Sequence, residues 1–209
     1  ILKNFYKIEP GHVMTYCLVD FKILSNLPYW NIKSFTDEKP YQEEKFYNLF
    51  ESAVLLRSKA DVETASFLSG GIDSSSIIKK QIDLNLNVNT FSMSFSNQNY
   101  DESKWFSAVA EKYNTNHKQN TISALLDLDK VHESIDIFDE PYADSSTIPS
   151  YFLAKEISKY YKVAISGDGG DELLGGYEHI KRVLNSKNNY FLSSVYNIYP
   201  PRLGSGSNF

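Results

Sequence analysis

Val62-Glu63-Thr64-Ala65-Ser66-Phe67-Leu68-Ser69-Gly70-Gly71-Ile72-Asp73-Ser74-Ser75 is the stretch on which the fold turns. Val62 to Leu68 reads as a short strand, Ser69-Gly70-Gly71 breaks it, and Ser74 to Leu84 resumes as a helix. Glycine at such a break lets the backbone approach a ligand and adopt positive φ. The helix behind it offers unpaired N–H groups and a positive dipole end, which suit an anion. Ser69, Ser74 and Ser75 add hydroxyl donors. Asp73 carries the most information. A carboxylate beside a phosphate site repels its ligand unless a cation lies between them, so Asp73 implies Mg2+. The plain alternative is a strand–turn–helix junction capped by serines. No Gly-Lys-Ser/Thr closes the loop and no Gly-x-Gly-x-x-Gly occurs, so neither of those nucleotide-binding patterns applies.

Strands and helices alternate outward from this junction. Upstream, Phe46, Leu49, Phe50, Ala53, Val54 and Leu56 recur at helical spacing to about Ser58. Downstream come a strand over 88–95 and a helix over 102–113, with Trp105, Val109 and Ala110 on one face. A strand over 117–122 and helices over 123–138 and 148–160 follow. Lys162 to Ser166 is a compact buried strand, and a helix from Tyr177 to about Leu184 is expected after it. Such alternation predicts parallel βαβ units in a doubly wound, mainly parallel α/β sheet, which binds ligands beyond the carboxyl ends of its strands. The first forty residues differ. Pro10-Gly11 turns into β-rich Val13 to Val19, and Phe21 to Leu27 supplies a second strand, a short N-terminal β lead-in.

Composition narrows the classes. The 209 residues carry a net charge of −5, with 42% hydrophobic and 22% charged residues, which excludes collagen-like and fully disordered chains. No apolar run approaches the ~18 residues that span a bilayer, so no membrane role is expected. The start lacks a secretion signal. The single cysteine, Cys17, allows no intrachain disulfide and points to a reducing, cytoplasmic setting. The acidic balance argues against a general nucleic-acid binder. The absence of an initial Met and the Gly204-Ser205-Gly206-Ser207-Asn208-Phe209 end suggest a piece of something longer. His12, His117, His132 and His179 are scattered without metal-ligand spacing.

A second glycine-rich stretch, Ser166-Gly167-Asp168-Gly169-Gly170-Asp171-Glu172-Leu173-Leu174-Gly175-Gly176-Tyr177, follows the last strand directly and reads as a second magnesium-facing loop. A solvated acidic turn is the alternative.

Ser-Gly-Gly-x-Asp-Ser at 69–74 resembles the pyrophosphate-binding loop of the N-type ATP pyrophosphatases. The stretch 166–177 is similar to the signature of the synthetase domain of glutamine-hydrolysing asparagine synthetases. Asp139-Glu140-Pro141-Tyr142-Ala143-Asp144-Ser145-Ser146-Thr147-Ile148-Pro149 and Ile8-Glu9-Pro10-Gly11-His12 also resemble that family. The likeness runs from about residue 5 to 184.

That resemblance implies an adenine nucleotide alpha hydrolase-like fold. It implies a glutaminase tail and linker over 1–40, a C-terminally truncated ATP-pyrophosphatase domain over 41–203, and a flexible tail over 204–209. Its cofactors would be ATP and Mg2+. Ser69, Gly70, Gly71, Asp73 and Ser74 would hold pyrophosphate, with Asp73 and Asp171 holding the metal. Leu68, Met93, Ser166 and Gly167 fall where the family contacts adenosine. Asp168 occupies the position of a catalytic acidic residue, often Glu, and Tyr in β-lactam synthetases. The implied reaction adenylates a carboxylate, most simply the aspartate β-carboxylate, and passes it to ammonia from glutamine. The implied partners are those small molecules and a missing glutaminase domain of the same polypeptide, with a homodimer allowed.

The chain departs from the family pattern in two respects. Nothing matches the glutaminase's N-terminal cysteine, and Cys17 reads as structural. The family's downstream lysine is not matched either, since Lys181 and Lys187 lie too near the second loop. The isolated piece is therefore expected to bind nucleotide at best. Tyr142, Asp144, Ser145 and Ser146 either shape an acceptor pocket or cap a helix. Tyr177 either lines the pocket mouth or packs at a helix start. The same chemistry with a tethered amine, as in β-lactam or lasso-peptide macrolactam synthetases, is the alternative. An RNA-modifying pyrophosphatase is disfavoured by the charge and the second loop. A non-catalytic homologue is disfavoured by intact Asp73, Asp168 and Asp171.

Overall fold

The computed structural model describes residues 3–35, 39–96, 101–122, 128–138, 146–178 and 180. The chain divides between Phe46 and Tyr47 into two units. In the first, β1 (His12–Cys17) and β2 (Lys22–Pro28) pair antiparallel, the expected β lead-in. Gly11 lies at its entry with φ +70°, where a side chain would strike the Trp30 carbonyl. Only glycine fits there.

The second unit is built on β3 (Thr64–Phe67), β4 (Asn89–Phe95), β5 (Asn116–Ile122) and β6 (Val163–Ile165). They form one parallel sheet in the order β5-β4-β3-β6. The helices are α1 (Glu43–Arg57), α2 (Ile72–Asp83), α3 (Ser103–Tyr113), α4 (Leu128–Ile135), α5 (Thr147–Ile157) and α6 (Gly170–Leu174). The doubly wound α/β expectation holds. Alternation along β3 decides the two faces. Leu68 just beyond it packs with Ile78, Val88, Phe106 and Ala110, the side of α2 and α3. Ala65 and Phe67 pack with Phe91, Leu153, Ile157 and Tyr161, the side of α5.

Polar groups are buried within this frame. Ser66 Oγ donates to Gln81 Oε1 at 2.9 Å, and Gln81 Nε2 donates to Ser58 Oγ at 3.4 Å, joining β3, α2 and the end of α1. On β4, Thr90, Ser92 and Ser94 are as buried as Phe91. Thr90 Oγ1 meets Thr115 Oγ1 and His117 Nδ1 at 2.8 and 2.9 Å. Burial lowers the His117 pKa below its ordinary value, and its ring packs on Phe106. Glu133 on α4 accepts from both Tyr151 and Lys155 on α5, tying those helices together.

Several local expectations change. α2 begins at Ile72, because Gly71 already serves as its N-cap. The stretch Gly167 to Gly176 is not all loop, since Gly170 to Leu174 forms α6. On α3 the core stripe is Phe106, Val109, Ala110 and Tyr113, whereas Trp105 is 60% exposed beneath the Lys104 ammonium. Positions 106, 109, 110 and 113 satisfy the helical repeat, and Trp105 falls one residue off it. Leu49 and Leu56 of the α1 stripe stand exposed, and Val54 is its buried member. Residues 123–127, and the helix expected beyond Ile180, lie outside the described residues.

The strand order locates the site. From β3 the chain steps outward to β4 and β5, then returns to β6 on the opposite side of β3. Loops leaving β3 and β6 therefore flank the switch point, where open α/β sheets form their ligand crevice.

Candidate functional site

The first loop starts from fixed backbone. Leu68 N–H donates to the Phe91 carbonyl at 2.9 Å, and Ser92 Oγ donates to the Leu68 carbonyl. The Leu68 side chain, 1% exposed, belongs to the core beside Ile78 and Phe106. Beyond it, hydroxyls shape the turn. Ser74 Oγ accepts from Ser69 N–H at 3.3 Å, lies 2.9 Å from Ser69 Oγ, and donates to the Gly71 carbonyl at 3.3 Å. Ser69 Oγ in turn accepts from Gly71 N–H at 3.2 Å. Ser74 is buried, whereas Ser69 and Gly71 face solvent. Gly70, at φ +84°, presses on α3: a Cβ there would lie 2.6 Å from Phe106 N.

The second loop closes on the first. Gly170 N–H donates to the Gly167 carbonyl at 3.1 Å, and Gly169 has φ 90° and ψ −10°. Asp168 is absent from the positive-φ residues, so Gly167 to Gly170 is a type II turn with Asp168 at its first corner. Asp168 is exposed, and its Oδ2 accepts from Ser166 Oγ at 2.9 Å. The seam is tightest at Asp73. A Cβ on Gly170 would fall 2.6 Å from Asp73 Oδ2, and one on Gly167 3.2 Å from Asp73 Cβ. The Asp171 carboxylate lies against the α-carbon of Gly176. Tyr177 Oη donates to Glu172 Oε1 at 2.6 Å, and that bond holds the Glu172 carboxyl below its ordinary pKa.

Ser69, Gly70, Gly71, Asp73, Ser74, Ser166, Gly167, Asp168 and Asp171 thus sit on the two glycine loops and the first turns of α2 and α6, and the two segments meet at Asp73. Met93 is half-buried on β4, past the last β3–β4 pair, at the same carboxyl edge. Leu68 and Met93 point to opposite faces of the sheet, as their alternation with Phe91 and Ser92 requires. Sequence reasoning missed Gly170 as the seat of Asp73 and Ser166 as the partner of Asp168. The Asp-Gly-Gly-Asp spacing was the available signal for Gly170. Tyr142, Asp144, Ser145, Lys181, Lys187 and His179 lie outside the described residues.

Among the described residues no three His, Cys, Asp or Glu side chains converge as a metal cage. Mg2+ asks less. It is commonly held by one or two carboxylates plus substrate phosphates and waters. A carboxylate seated where a Cβ would displace it, beside a loop lined by the Ser69 and Ser74 hydroxyls, fits that demand. Among the described residues no helix is long and apolar enough to cross a membrane.

These features define an α/β domain whose two glycine-rich segments meet at the carboxyl edge of its parallel sheet. Residues 45–204 match the family described as Asparagine synthase. The chain belongs to that family. It is 34% identical over 188 residues to a putative asparagine synthetase [glutamine-hydrolyzing] 2 from Methanocaldococcus jannaschii, covering 85% of this chain and 35% of the relative. It is 32% identical over 184 residues to asparagine synthetase [glutamine-hydrolyzing] 1 from Bacillus subtilis, covering 87% and 29%. The chain thus spans about a third of the length of these relatives. An NH3-dependent NAD synthetase from Campylobacter jejuni overlaps 74% of this chain and 78% of its own, with TM-score 0.45 and 16% identity.

Proposed function

We propose that this chain is the nucleotide-binding core of an ATP-dependent amide-forming ligase that acts on the aspartate β-carboxylate. The observation that carries the reading is the Asp73 carboxylate seated against Gly170, which joins both glycine loops at one point. Family membership supports it.

In this reading ATP lies across the carboxyl edge of the sheet, its phosphates over Ser69 to Ser74. The acceptor carboxylate attacks the α-phosphorus, the α–β bridging bond breaks, and its electron pair leaves with pyrophosphate. Loop amides and hydroxyls of Ser69, Gly70 and Gly71 take up the departing charge. Mg2+, held by Asp73 and Asp171, would neutralise phosphate charge when bound. The amine nitrogen then adds to the acyl-adenylate carbonyl, and the bond to AMP breaks. Asp168, exposed at the corner of its turn, accepts one amine proton as general base. Gly167 and Met93 border the adenosine. Holding both reactants in one crevice supplies the positional advantage. Residues 1–40 would form the seam to a glutaminase domain that supplies ammonia.

The test is pyrophosphate release by the native full-length protein with ATP, Mg2+, aspartate, and glutamine or ammonia. The reading expects release that requires aspartate and is lost in Asp73→Ala. Release without aspartate, or its survival in Asp73→Ala, contradicts it. A macrolactam synthetase would instead release pyrophosphate only with a substrate carrying its own amine.

A further inference from the structure

We infer that Ser166 is the positioning residue for Asp168, and that its hydroxyl serves the amide-forming half of the reaction rather than the nucleotide. The inference rests on the reading of Asp168 as general base. Sequence resemblance places Ser166 beside adenosine, but its hydroxyl is engaged elsewhere, donating to Asp168 Oδ2 at 2.9 Å.

Two constraints meet on that carboxylate. The type II turn from Gly167 to Gly170 fixes the backbone of Asp168, through the Gly170 N–H to Gly167 carbonyl bond and the positive φ of Gly169. The turn is itself anchored, since Gly167 and Gly170 both abut Asp73. Asp168 then has two side-chain torsions left, and the hydrogen bond to Oδ2 restrains them. Among the described residues no other hydrogen bond reaches this carboxylate, so Oδ1 remains to take a proton. Ser166 directly follows β6, whose Ile165 is buried and paired to Ser66 of β3. The hydroxyl therefore transmits the position of the sheet to an exposed side chain. A base acts only when held within hydrogen-bond reach of its proton.

The half-reactions separate the alternatives. In the native full-length protein, carboxylate-dependent ATP–pyrophosphate exchange reports adenylation, and amide formation reports the second step. Ser166→Ala is expected to lower kcat for amide formation about tenfold, a fraction of the ~10²-fold or more that a positioned base supplies. The KM for ATP and the exchange rate should stay at wild-type levels. Ser166→Thr, which keeps the hydroxyl, should recover most of the rate. In an Asp168→Asn background, Ser166→Ala should cost nothing further, because the two act as one unit. A raised KM for ATP with slowed exchange, or an undiminished Ser166→Ala effect in that background, overturns the inference. If Asp168→Asn alone leaves amide formation intact, the general-base reading itself fails.

Discussion

The carboxylate of Asp73 occupies the space a side chain on Gly170 would need: an ideal Cβ there falls 2.6 Å from Oδ2 and 2.8 Å from Cγ. Ordinary contact begins at 3.4 Å, so Gly170→Ala must displace the carboxylate by about 0.8 Å. Gly170 opens a helix and does not have positive φ, so alanine costs its backbone nothing. The change therefore isolates the position of one carboxylate. Misplacement on this scale can cost up to ~10²-fold in rate. Pyrophosphate release by Gly170→Ala should fall by that order while its urea midpoint stays near wild type.

Gly70 predicts the opposite outcome. Its φ of +84° and the 2.6 Å approach to Phe106 N make alanine doubly unfavourable. The left-handed backbone alone costs about 1–3 kcal/mol. Gly70→Ala should lower the urea midpoint clearly, with activity lost as a consequence of unfolding.

Ser66 and Gln81 give a stability test away from the crevice. Ser66→Ala leaves Gln81 Oε1 buried without its donor, at a cost of about 1–3 kcal/mol. Equilibrium denaturation should show that loss, and the double variant Ser66→Ala with Gln81→Met should recover part of it.

Two groups predict pH dependence. Glu172 has its carboxyl lowered chiefly by the Tyr177 hydroxyl, so its contribution is fully present above the ordinary 4.5 and is lost as pH falls through the lower folded value. The Tm difference between wild type and Glu172→Gln should be flat above 4.5 and narrow below it. Burial lowers the His117 pKa, so the unfolded chain gains its proton first as pH falls through 6.5. Stability should decline on that acid side, and His117→Gln should flatten the decline.

Much of the architecture was legible because apolar spacing and glycine breaks are local signals. The strand–Gly-Gly–helix junction around Gly70 and Gly71 and the Gly-rich turn after Ile165 could be read from the sequence, apart from the first residues of α2 and the short α6. What escaped depends on distant partners. The polar face of β4, Thr90, Ser92 and Ser94, is buried because α2 and α3 cover it. Trp105 reads as sharing a face with Val109 and Ala110, but the helical phase set by Phe106 turns it outward. The seat of Asp73 on Gly170 joins residues 97 positions apart, a relation no local pattern encodes.

The central claim is that a substrate carboxylate is adenylated at this crevice, and isotope transfer tests it most directly. With aspartate labelled by ¹⁸O in its β-carboxylate, ATP, Mg2+ and ammonia, the native full-length protein should release AMP carrying one labelled oxygen. Unlabelled AMP, or ADP and phosphate in place of AMP and pyrophosphate, would contradict the account.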